Sequence, residues 1–208
     1  MLADLAHSFV TLFVVLDPIG VAVIAAGLTR GLSAEARRGI AWRSTIVAAI
    51  LLALFAFAGA PLLNALGISL PALRIAGGIL LLLLAIDMVF ARPSGIRNPT
   101  PPEQQEAEHR SDIAVFPMAF PLLAGPGALT SIVLLMGRAT SPLHQLGILV
   151  ALLVVLAVAL LGMLNAGRLA LVLGVTGANV ISRVLGIILA ALAVQFVLDG
   201  VTQFWPRL

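Results

Sequence analysis

The 208-residue chain is 61% hydrophobic and only 10% charged, carries a net charge of +3 and has no cysteine; its mean hydropathy is +1.15 and its pI is near 11.3. Soluble domains run at about 45–50% apolar and 25% charged, so a water-soluble fold is excluded, and the lack of cysteine excludes disulfides, thiolate nucleophiles and thiolate metal sites. The high pI is no nucleic-acid footprint, because the cations are twelve arginines spread along the chain without a clustered face.

Six apolar runs reach the roughly 20 residues that a helix needs to cross hydrocarbon; they lie near 3–29, 43–66, 71–90, 112–136, 145–171 and 178–199. The first run has no basic residue before Arg30 and is long enough to span, so it reads as an uncleaved helix rather than a signal peptide. It is interrupted by Asp17-Pro18-Ile19-Gly20. Proline cannot donate a helix-interior hydrogen bond but fits the first helical position, so Asp17 reads as the N-cap and Pro18 as the first residue of a new half-helix.

The connection 91–111 is the one clearly polar stretch, with Pro93, Pro99, Pro101 and Pro102 beside Glu103, Glu106 and Glu108, and it predicts a cytoplasmic linker. The fourth run carries a second break, Gly125-Pro126-Gly127-Ala128, whose proline stands 108 positions after Pro18. Pro117 and Pro121 are expected to distort the half of that run before the break.

The halves match beyond the breaks. Leu66-Gly67-Ile68-Ser69 recurs as Leu173-Gly174-Val175-Thr176, and Ala85-Ile86-Asp87-Met88-Val89 as Ala193-Val194-Gln195-Phe196-Val197. Residues 1–90 and 112–208 therefore read as two three-helix repeats. Three spans per repeat is an odd number, so the second copy enters from the opposite side and the repeat is inverted. The predicted fold is an all-α membrane protein of six transmembrane helices, the first of each repeat broken.

Arg30, Arg37, Arg38 and Arg43 flank the first connection, Arg92, Arg97 and Arg110 the third, and Arg168 the fifth, against Arg138 and Arg207 on the other side. Short cytoplasmic loops hold the arginine excess, so the chain is expected in a bacterial inner membrane, multi-pass, with both termini periplasmic.

Non-helical backbone survives at membrane depth only where protein or a water-filled cavity satisfies it, which makes the two breaks the candidate site. Asp17, Pro18 and Gly20 offer a carboxylate to an ammonium group, a sodium ion or a proton. Gly125, Pro126 and Gly127 offer bare helix N–H groups to an anionic group. An acid facing such an N-terminus suits a small zwitterion. Capping alone is the competing role for Asp17, although an ionisable group at membrane depth is a functional candidate by default. Thr130 and Ser131, and Thr11 on the other side, offer hydroxyls, with ordinary helix packing as their alternative. Gln195 can hydrogen-bond across helices or to substrate. Asp87 with Arg183 is expected to form a structural charge pair near the cytoplasmic ends of spans three and six, and Arg74 with Asp199 a weaker one at the outer side. Gly77 with Gly78, and the turns at Gly67 and Gly174, are expected to permit close helix approach.

Four blocks in order, Asp17-Pro18-Ile19-Gly20, Leu66-Gly67-Ile68-Ser69-Leu70-Pro71 running into Arg74-Ile75-Ala76-Gly77-Gly78, Pro121-Leu122-Leu123-Ala124-Gly125-Pro126-Gly127-Ala128, and Arg183-Val184-Leu185-Gly186 leading to Ala193-Val194-Gln195-Phe196, make the chain resemble the MarC family of bacterial integral membrane proteins. That family is grouped with small neutral amino-acid transporters and, distantly, with LysE-type exporters. The resemblance implies six spans and, for some members, uptake of glycine, alanine and similar amino acids.

The expected function is secondary transport of small neutral amino acids or similar small metabolites, coupled to H⁺ or Na⁺ through Asp17. The alternative is a non-transporting membrane assembly or lipid-organising protein. An enzyme is disfavoured, because His7, His109 and His144 lie near span ends or loops and supply no buried Ser-His pair or histidine metal set. There is no P-loop. No cofactor or metal is expected, and the partners are the substrate, the coupling ion and the lipid bilayer; a homo-oligomer is admitted but not specified.

Overall fold

The computed structural model describes residues 2–90 and 113–205, and the expected linker 91–111 lies outside them. The elements are α1 (Leu2–Leu16), α2 (Pro18–Leu28), α3 (Ala34–Ala65), α4 (Leu70–Phe90), α5 (Ala114–Leu123, an irregular segment with extended backbone at Phe116 and Phe120), α6 (Pro126–Arg138), α7 (Pro142–Leu164) and α8 (Ala166–Phe204). Among the described residues five helical stretches are long and apolar enough to cross a membrane, the first of them running Asp4–Leu28 through the α1–α2 break; there are six if α5 and α6, bent by 55°, count as one span. The protein is thus an all-α, multi-span membrane bundle.

Local chemistry accounts for most boundaries. Ser33 accepts from the Ala36 N–H at 3.2 Å, a cap that starts α3 at Ala34, nine positions before the apolar run near 43–66 begins. Asn165 donates its side-chain amide to the Leu161 carbonyl at 2.8 Å and ends α7 there. The expected run 145–171 is therefore cut at Asn165, and Arg168 lies in the first turn of α8 rather than in a loop. In α5 the residues before its two prolines, Phe116 and Phe120, leave the helical region with φ near −127° and −129°. The distortion expected from Pro117 and Pro121 is present.

Burial separates the broken elements from the intact ones. In the first span 61% of the apolar window is buried, against 22% in α3. Nine of the thirteen residues of α6 are buried, so α6 is enclosed nearly all round, as a helix apolar on every face requires. It packs against α3, α4 and α1, while α7 covers α1 and α2. The intact α3 turns Ile46, Ile50, Leu54 and Phe57 outward.

The most extensive packing joins α4 to α8. In lipid such contacts depend on close backbone approach through small residues, since the tails are as apolar as leucine. A Cβ at Gly78 would lie 2.7 Å from the Ala193 carbonyl oxygen and 3.1 Å from the Val197 nitrogen; one at Gly186 would lie 2.9 Å from Met88 Cβ, and one at Gly200 2.9 Å from the Pro71 oxygen. These pairs run in opposite directions along the two helices, which are therefore antiparallel. Gly77 meets Thr130 of α6 instead. The turns at Gly67 and Gly174 do not serve close approach: nothing lies within 4 Å of their Cβ positions, and their φ values of 68° and 61° make them left-handed corners that glycine adopts without steric cost. Gly78→Ala is expected to destabilise the protein by about 1–3 kcal/mol, because backbone rather than a side-chain tip must move. Gly39→Ala, in open space within α3, is expected to be neutral or mildly stabilising; thermal unfolding of both variants in detergent checks the contrast.

Candidate functional site

The first break is built on Asp17. Its backbone sits at φ 42°, ψ 68°, the left-handed region that among non-glycine residues Asp and Asn tolerate best. The turn lets α1 end and α2 restart at once: the Asp17 N–H donates to the Phe13 carbonyl and the Val21 N–H to the Asp17 carbonyl, both at 3.0 Å. The side chain accepts from the Gly20 N–H at 3.0 Å, so the N-cap with Pro18 at the first helical position is formed. Asp17 is 1% exposed. A carboxylate is thus held inside the bundle at a helix start, with Pro18 and Gly20 buried beside it.

At the second break Gly125 is the N-cap of α6, with φ −70°, ψ 170° and no side-chain cap, and Pro126 takes the first helical position. The Leu129 N–H donates to the Gly125 carbonyl at 3.0 Å. The first-turn N–H groups of α6 have no intrahelical partner. Gly127 lies against α1 and α4, for a Cβ there would be 2.5 Å from Leu81 Cδ2 and 3.8 Å from Val15 Cγ1. Val15 is two residues before Asp17, so the last turn of α1 meets the first turn of α6. Beside the second break, Val15, Leu80, Leu84, Pro121 and Gly125–Ala128 enclose a cavity of about 20 Å³, room for about one water.

The hydroxyls divide. Thr130 donates back to the Pro126 carbonyl at 2.9 Å, so its hydroxyl serves α6 itself. Ser8, Thr29, Thr45 and Thr202 make the same bond to the carbonyl four residues back. Thr11 and Ser131, both fully buried, do not, and their hydroxyl oxygens have no hydrogen-bond partner among the described residues. They lie one turn beyond Val15 and Gly127 along the same faces of α1 and α6, since residues four apart share a helix face. Thr11 and Ser131 are polar groups turned toward the α1–α6 seam beside the breaks.

Gln195 is not brought to the breaks. It is exposed on α8 and donates its amide to Asp199 Oδ1 at 2.6 Å. The other Asp199 oxygen pairs with Arg138. Asp199 therefore takes Arg138, the cation in the last turn of α6, in place of the expected Arg74. Arg74 is 4% exposed, and its Nη1 has no hydrogen-bond partner among the described residues. Arg183 is exposed, and among the described residues no ion pair joins it to Asp87, which is engaged elsewhere. Among the described residues no group of three or more His, Cys, Asp or Glu side chains is placed to hold a metal ion.

The site reading missed Val15, Leu80, Leu81 and Leu84 as its apolar walls and Arg138 as the partner of Asp199. The walls carried no signal, since leucines and valines fill every span. Arg138 did carry one, being the last-turn cation of α6.

Comparison with known proteins agrees with this architecture. Residues 2–205 match the family described as MarC family integral membrane protein. A UPF0056 membrane protein of Archaeoglobus fulgidus is 36% identical over 197 residues, covering 94% of this chain and 91% of the relative. YvbG of Bacillus subtilis is 31% identical over 208 residues, covering 100% and 99%, and YhcE of Escherichia coli is 34% identical over 201 residues, covering 96% and 93%; both carry the same description. No solved structure matches the chain. With four-block resemblance, membrane bundle and near full-length similarity in agreement, the chain belongs to the MarC family of integral membrane proteins.

Proposed function

We propose that this protein is an inner-membrane secondary transporter of small neutral amino acids or similar small metabolites, coupled to H⁺ or Na⁺ through Asp17, with the substrate held between the two breaks. One observation carries the reading: Asp17, 1% exposed at one helix break, follows by two residues the Val15 that meets Gly127 at a glycine-flanked helix start with no side-chain cap. The ammonium of a zwitterion meets Asp17 and its carboxylate meets the first turn of α6. The small cavity at the second break fits an occluded conformation, which must widen to admit substrate.

The proposal includes two inverted repeats, 1–90 and 112–208, joined by the 91–111 linker, with both termini periplasmic. Left-handed glycines at the matching corners Gly67 and Gly174 and the mutual packing of α4 with α8 support it. The decisive experiment is uptake of radiolabelled glycine, alanine and serine into proteoliposomes with and without imposed H⁺ or Na⁺ gradients. Accumulation above equilibrium in one gradient is the expected result. No uptake of any substrate by protein shown to be folded would remove the transporter reading.

A further inference from the structure

A second cavity, about 750 Å³, opens between α2, α3, α7 and α8 at the end of the bundle away from the α6–α7 turn, lined among others by Thr29, Glu35, Arg37, Arg38, Asn165 and Arg168. Its size falls within the range of small-molecule sites, and its charge is lopsided, with three arginines against one glutamate. Among the described residues no ion pair or side-chain hydrogen bond engages any of the three arginines. The Arg37 guanidinium reaches across from α3 to the start of α8, where its Nη1 lies 4.0 Å from the Cβ position of Gly167, the neighbour of Arg168. Like charges gathered from two helices around a cavity repel unless an anion sits between them.

We propose that this cavity binds the phosphate-bearing headgroup of an anionic phospholipid. Guanidinium groups hold phosphate oxygens by paired, charge-assisted hydrogen bonds, and basic pockets between membrane helices suit anionic headgroups. Free phosphate offers the same oxygens, but the outer face of α3 distinguishes the two sources. One helical turn beyond Arg38 stands Trp42, 50% exposed, and the same stripe continues through Ile46, Ile50, Leu54 and Phe57, each more than half exposed. Tryptophan marks the membrane–water interface. Charge, indole and aliphatic side chains thus follow one another along one helix face in the order of headgroup, interface and acyl chain. The headgroup enters the cavity while its chains lie along α3.

The test is native mass spectrometry of the purified full-length chain in neutral detergent, with phosphatidylglycerol or phosphatidylcholine of the same chain length added. The wild type is expected to retain phosphatidylglycerol in preference, and Arg37→Gln/Arg168→Gln to lose about thirtyfold in that lipid's affinity, at roughly one surface-charge contribution per arginine. Arg30→Gln/Arg183→Gln, which removes as much charge from exposed positions outside the cavity, is expected to keep the preference. Equal retention of both lipids by the wild type, or an equal loss in both double variants, overturns the proposal. Inorganic phosphate that binds and is released by Arg37→Gln/Arg168→Gln, without any lipid preference, overturns the lipid as its source. Helicity and a monodisperse elution profile report whether the double variants fold; if Arg37→Gln/Arg168→Gln does not, the wild-type preference and its weakening by salt still decide the outcome.

Discussion

Asp17→Asn is expected to give a protein that inserts, folds and unfolds near the wild-type temperature, yet no longer accumulates substrate against a gradient. Asparagine retains an acceptor oxygen for the Gly20 N–H and caps a helix about as well as aspartate. It also tolerates the left-handed backbone that Asp17 adopts at φ 42°. Only the charge is removed. Asp17→Ala removes the cap as well, about 1 kcal/mol, and places an ordinary side chain in the left-handed region at a further cost of about 1–2 kcal/mol. The two variants therefore separate charge from architecture: alanine lowers stability and transport, asparagine transport alone. Gradient-driven uptake in proteoliposomes beside thermal unfolding in detergent makes the measurement. An asparagine variant with wild-type accumulation would leave Asp17 as a helix cap and nothing more, whereas a silent wild type would remove the transport reading itself.

Legibility differed between fold and site for a physical reason. Hydrocarbon imposes length and apolarity on each span, so the runs along the chain marked the helices, and proline with glycine marked the interruptions because those residues alter the backbone directly. Both breaks, the cap at Asp17 and the kinks before Pro117 and Pro121 lay in local chemistry and were readable. The start of α3 was not read, because the apolar run begins nine residues after Ala34 and polar residues occupy its first turns. What tertiary contacts decide was hidden. Whether Thr130 or Ser131 bonds to its own helix depends on a rotamer and on the neighbour, here Gly77 for Thr130. The partner of Asp199 depended on where α6 ends relative to α8. Arg37, Arg38 and Arg168 were legible as a topological charge bias, but their convergence on one cavity needs the start of α8 brought opposite the start of α3.

Gly125→Ala and Gly127→Ala are expected to fail in different ways, although both add one methyl group to the second break. The φ and ψ of Gly125 suit any residue, so its backbone does not demand glycine. A Cβ there would instead collide with the Pro121 carbonyl oxygen, a main-chain atom fixed at the end of α5 between Phe120 and Leu122. Relief requires moving the chain that sets the 55° bend, and a loss of at least about 1–3 kcal/mol is expected, read as a lower unfolding temperature and reduced folded yield. At Gly127 the obstacle is Leu81 Cδ2, the end of a flexible side chain that can turn aside, so stability should fall by less than about 1 kcal/mol. The methyl group would nevertheless project beside a cavity of about 20 Å³, which has room for about one water. Gly127→Ala is therefore expected to fold and to lose most of its uptake, on the order of tenfold, since a clash of about 1.4 kcal/mol with bound substrate suffices for that. Leu81→Ala in the same chain frees the packing but leaves the methyl group at the α6 N-terminus. If uptake stays low in Gly127→Ala/Leu81→Ala, the methyl group obstructs the substrate directly; if uptake returns, the displaced leucine was the obstruction. Wild-type uptake by Gly127→Ala alone would place the substrate away from the second break and leave Asp17 as the remaining anchor of the site.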